Sequence, residues 1–67
     1  MKKRSVKIAG HATSITMEDE FWDALKKLAE KQGRPLAAII AEVDAARGPR
    51  NLSSAVRIYI LMQLEKA

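Results

Sequence analysis

The spacing of apolar side chains divides the chain into four segments. Over residues 18–32, Phe21, Leu25, Leu28 and Ala29 recur at i, i+4, i+7 and i+8, which is one face of a helix. Glu18, Asp19 and Glu20 crowd its first turn and Lys26, Lys27 and Lys31 lie toward its end, both favourable to the helix dipole. Trp22 flanks the stripe as an edge or interface residue, and Gly33 is the expected C′ residue that stops the helix. A second helix is predicted over 35–46, with Pro35 at its first position and Leu36, Ile39, Ile40 and Val43 as its stripe. "RGPRN", residues 47–51, ends it. A third helix is predicted over 53–65, capped by Asn51 or Ser53. Its stripes are Leu52, Val56, Tyr59 and Ile60 on one side and Ala55, Ile58 and Met62 on another, with Leu61 and Leu64 between. A helix apolar nearly all round is buried on more than one side.

Residues 5–17 alternate as a strand does, but the alternation changes phase. Val6 and Ile8 are even-numbered; Thr13, Ile15 and Met17 are odd-numbered. A continuous strand cannot bury both sets, because its side-chain period is two. Two devices repair the phase: a bulge at Gly10, or a two-residue hairpin with Gly10-His11 as a type II′ turn. The hairpin would set Ile8 against Thr13 and Val6 against Ile15, with Ser5, Lys7, Ser14 and Thr16 on the opposite side. Both devices stay open at this level.

Composition narrows the class. A chain of 67 residues is a single domain, and one this small usually needs staples or partners. It has no cysteine and one histidine, which excludes disulfides, thiolate metal sites and a zinc site within one chain. The hydrophobic fraction, 48%, is too high for a disordered chain. Oligomerisation is the remaining staple, so an obligate oligomer is expected. No targeting signal is evident, and the apolar run Ala55 to Leu64 is about half the length that spans a bilayer. A cytoplasmic protein with no membrane partner is the expectation, and the lack of cysteine fits a reducing compartment.

Charge is unevenly placed. Lys2, Lys3, Arg4 and Lys7 are the only charged residues before Met17; after it, basic and acidic side chains balance. The net charge of +4 therefore resides in a basic N-terminal arm, residues 1–4, and the strand that follows. Such an arm is either a nucleic-acid contact or a solubilising tail. No nucleophile–base pair, paired carboxylates or Gly-rich phosphate loop is present, so no enzyme and no cofactor are expected. Ser53 and Ser54 read as helix-start residues.

A strand followed by two helices with a short Gly-containing joint, over Ala12 to Ala46, resembles the ribbon-helix-helix fold. More narrowly, "RSVKIAGH", "SITMEDEFWDAL", "LAAIIAEVDAAR" and "NLSSAVRIYIL" resemble a small bacterial ribbon-helix-helix subfamily, on Gly10, His11, Thr13, Ser14, Phe21 and Trp22. The resemblance implies a mainly α fold with one short β ribbon (β-α-α plus a third helix). It also implies an intertwined homodimer whose antiparallel ribbon, paired between chains, enters the DNA major groove. Its implied dimer core is Ile15, Met17, Phe21, Leu25, Leu36, Ile40 and Val43. With the basic residues Lys2, Lys3, Arg4 and Lys7 read from charge and His11 from its place in the turn, the expected DNA contacts are completed by Ser14, Thr16 and Arg34, which the resemblance implies. Ala12, Ser14 and Thr16 match the groove-facing positions, where long donors would reach base edges; an alanine and two short hydroxyls do not. At the start of the second helix the family's Gly-x-Ser/Thr turn becomes Gly33-Arg34-Pro35, with Arg34 as the compensating phosphate donor.

Two residues carry alternative readings. Thr16 is either a base or phosphate contact or the N-cap of the first helix. His11 is either a donor to DNA or structural. Two functions follow: a DNA-binding transcriptional regulator, or a protein-interaction module of antitoxin or adaptor type. In either, the third helix could build a higher oligomer.

Overall fold

In the computed structural model, which describes residues 1–66, the phase change is resolved by a hairpin. Strand β1 (Lys2–Ile8) pairs antiparallel with β2 (His11–Met17), and helices α1 (Asp19–Gln32), α2 (Leu36–Ala46) and α3 (Leu52–Lys66) follow. β2 takes its ladder partner from its own chain. The turn lies one residue earlier than Gly10-His11. Ala9 and Gly10 form it, with φ of 49° and 81°. Positive φ at both central positions is type I′, whose twist matches that of the flanking strands; type II′ needs it only at the first. Ile8 therefore pairs with His11, Val6 with Thr13 and Arg4 with Ile15. This register slips by two residues from the expected one, so every side chain keeps its expected face. The strand also begins at Lys2, which places most of the expected arm inside the ladder.

The helix boundaries follow local chemistry. α1 ends in a Schellman motif: Gly33, left-handed at φ 65°, donates its N–H to the Glu30 carbonyl, and Arg34 N–H reaches the Ala29 carbonyl. Pro35 is the N-cap of α2 and not its first helical residue, since its ψ of 146° is extended. Asn51 caps α3: its Oδ1 accepts the N–H groups of Ser53 (2.9 Å) and Ser54 (3.3 Å). Ser53 therefore lies inside the helix. Its hydroxyl reaches sideways and accepts the N–H of Thr16 at 3.1 Å. Thr16 is not the cap of α1; that position is Glu18, and no side chain caps it.

A single chain closes a core, which its length did not lead us to expect. Ile15, Met17, Leu25, Ile39, Ile40, Val56 and Ile60 are fully buried, with Ile8, Ala29, Val43 and Ala55 beside them. Each large side chain buried in this way stabilises the fold by about 1.5–3 kcal/mol. Five of the residues expected to form a dimer core, Ile15, Met17, Leu25, Ile40 and Val43, are thus buried within one chain. Phe21 and Leu36 pack against the same cluster and stay partly exposed. The helices cover one face of the hairpin: β1 rests on α2, and β2 on α3. The other face is left to solvent.

Candidate nucleic-acid interface

Alternation along the hairpin sorts its side chains into two sets. Arg4, Val6, Ile8, Thr13, Ile15 and Met17 turn toward the helices, and all are buried or half-buried. Lys3, Ser5, Lys7, Ala12, Ser14 and Thr16 turn outward. All of these are exposed except Thr16, which is half-buried beside α3. Across the ladder Lys3 faces Thr16, Ser5 faces Ser14, and Lys7 faces Ala12. The outward face therefore combines two ammonium groups, three hydroxyls and one methyl, with no carboxylate.

This face unites Lys3, Lys7, Ser14 and Thr16 from the predicted contacts. Lys2, opposite Met17, and His11, opposite Ile8, are exposed but share the parity of the helix-facing set, so the register does not bring them onto this face. Ser5 completes the face, although the sequence alone did not mark it as a contact. The alternation Lys3-Ser5-Lys7 was the available signal, obscured by ending the arm at residue 4.

Arg4 has a different setting. Its guanidinium lies over Trp22, 4.6 Å from the ring centroid, and its Nη2 donates to Asp19 Oδ1 at 2.9 Å. A cation at that distance from an indole face is attracted by the ring quadrupole. The hydrogen bond from Arg4, reinforced by its charge and that of Lys2, holds the Asp19 carboxyl below the usual carboxylate range. Arg4 Nη1 is buried with no hydrogen-bond partner. The side chain thus clamps the start of β1 to the first turn of α1, and Trp22 is the edge residue on which it rests.

Arg34 is likewise engaged. Its Nη1 donates to Glu42 Oε2 at 2.6 Å, and its Nε and Nη2 share Gln32 Oε1. The Glu42 hydrogen bond raises its pKa further and keeps it cationic. Its charge is met by Glu42, so Arg34 enters the α1–α2 joint as a brace. Among the described residues no cluster of three or more His, Cys, Asp or Glu side chains could hold a metal ion, and no helix is long and apolar enough to cross a membrane.

Neither the curated proteins nor the solved structures contain a match to the chain. A family model does match. Described as the ribbon-helix-helix domain, it spans residues 1–64, from the basic strand through the exposed end of α3. A basic antiparallel ribbon laid over packed helices, together with a match over nearly its whole length, shows that this chain belongs to the ribbon-helix-helix domain family.

Proposed function

We propose that this chain is a DNA-binding transcriptional regulator that acts as a homodimer in the cytoplasm, with the outer face of its hairpin set against the major groove. The observation that carries this reading is the composition of that face: exposed Lys3, Ser5, Lys7 and Ser14 with half-buried Thr16, and no carboxylate. Ribbon-helix-helix domains typically serve as DNA-binding or antitoxin scaffolds, and a two-stranded ribbon fits the major groove. Lys3 and Lys7 are four residues apart, about 13 Å at about 3.3 Å per residue. That span is comparable to the major-groove width of about 12 Å.

The chemistry of the face favours phosphate contact over base reading. Lysine is a flexible point charge, and short hydroxyls discriminate bases weakly. Affinity then comes mainly from counterion release and falls steeply with salt. Arg4 and Arg34 support this face from behind by bracing the fold, while Lys2 and His11, on the helix-facing parity at the two ends of the hairpin, lie outside it. The second reading, an antitoxin or adaptor module, is favoured by one observation, the exposed apolar end of α3 at Leu61, Met62 and Leu64.

The test is fluorescence anisotropy on duplex DNA at several salt concentrations. Lys3→Ala with Lys7→Ala should lower the log–log salt slope by about 0.9 for each phosphate that is no longer neutralised. Binding that is absent in the wild-type chain, or unchanged in the double variant, rejects the proposal.

A further inference from the structure

The hairpin and its basic face leave one large surface unexplained. Between α2 and α3 runs an open groove of about 520 Å³ whose walls include Val43, Ala46, Ala55, Ile58, Tyr59 and Met62. Ile58 is half-buried and Met62 is 52% exposed, so an apolar helix face continues out of the groove into solvent. Grooves of this kind on small soluble domains mark contact sites.

We infer that this groove receives α3 of a second copy of the chain, packed antiparallel about a two-fold axis near Ile58 and Tyr59. Three features fit that occupant. The first is size. A two-fold contact is isologous, so residues equidistant from the axis meet one another. Ala55 and Met62 are equidistant from a point between Ile58 and Tyr59, so each protruding Met62 would meet the small Ala55 of the other copy, with Ala46 widening the floor. The second is charge. In this arrangement Glu65 of one copy falls opposite Leu52 of the other, within side-chain reach of Arg50. Among the described residues neither Glu65 nor Arg50 has an ion-pair partner, whereas the neighbouring Arg47 and Glu42 are paired with Asp44 and Arg34. The third is a fixed rim. Arg47 Nη1 donates to the Arg50 carbonyl, which holds the loop that presents Arg50 at the groove's end.

The contact lies away from the outer face of the hairpin and is independent of the DNA-binding proposal, so its test uses no DNA. Sedimentation equilibrium of the full chain would be compared with Arg50→Glu, Glu65→Arg and the two combined. Each single reversal should weaken self-association about fivefold, as expected for an exposed pair turned repulsive, and the combination should restore it. Met62→Lys, at an exposed position that leaves the fold intact by circular dichroism, should weaken association at least tenfold. Because the chain has no cysteine, orientation can be read directly. Ile58→Cys should form a disulfide-linked dimer on mild oxidation, and Leu64→Cys, on the far side of α3, should not. Unchanged mass in the Met62→Lys variant, failure of the combined reversal to restore association, or cross-linking at residue 64 in place of residue 58 would overturn the inference.

Discussion

The turn of the hairpin gives the sharpest local prediction. Ala9 sits at φ 49°, a left-handed conformation that a Cβ disfavours by about 1–2 kcal/mol. Asparagine tolerates this region, and Asn-Gly is the preferred pair for a type I′ turn. Ala9→Asn should therefore relieve most of that strain. Ala9→Gly should relieve it too, but glycine returns about 0.5–1 kcal/mol as added freedom of the unfolded chain. The Asn variant should thus gain about 1 kcal/mol, and the Gly variant less. For a domain of this size 1 kcal/mol moves the melting temperature by about 4–8 °C. Conversely, Gly10→Ala, at φ 81°, should lower it, although no atom lies within 4 Å of the added Cβ; the penalty is conformational and not a clash. The assay is thermal unfolding by circular dichroism at one fixed protein concentration, so that mass action does not enter. If Ala9→Asn leaves the melting temperature unchanged or lowers it, residues 9 and 10 do not form this turn. A bulged continuous strand would then be the better description.

Three further outcomes are expected. Leu25→Ala, at a fully buried position, should cost about 2–5 kcal/mol in denaturant unfolding; a loss under 1 kcal/mol would mean that the site is not core. Removing Arg4 (Arg4→Met) should return the Asp19 carboxyl to its ordinary range, as read by carbon NMR of the side chain. Because the folded value is depressed, the stabilisation from this pair is present at neutral pH and is lost as pH falls through the acidic folded value, so the variant should show a flatter acid limb of stability. Ser53→Ala should accelerate amide exchange at Thr16 without moving its neighbours in the ladder, since only the N–H that points away from β1 loses its acceptor.

Much of this architecture was legible in the sequence, and the rest was hidden for identifiable reasons. The three helices were readable because each carries its own punctuation: carboxylates and lysines in dipole order around α1, Gly33 after it, Pro35 before α2, Asn51 before α3. The faces of the hairpin were readable from parity. The exact turn was not, because a two-residue slip keeps parity, and because nothing about Ala9 announces a left-handed residue. The roles of Arg4 and Arg34 were not readable. Their partners lie 15 and 8 residues away, and only the fold brings Asp19 to one and Glu42 to the other. In sequence the basic residues are equivalent cations; the register divides them into outward Lys3 and Lys7 and inward Arg4. The single-chain core escaped the size argument because the hairpin lays a second strand over helices that would otherwise need a partner's strand.

Whether DNA meets the outer face of the hairpin can be read residue by residue from chemical-shift mapping by NMR. An amide-labelled chain would be titrated with a short duplex at low salt. The largest shifts should fall at Lys3, Ser5, Lys7 and Ser14, with the C-terminal turns of α3 at Leu61 and Leu64 unmoved. Shifts concentrated on α3 with the hairpin silent, or no shifts at all, would contradict a DNA-binding ribbon face.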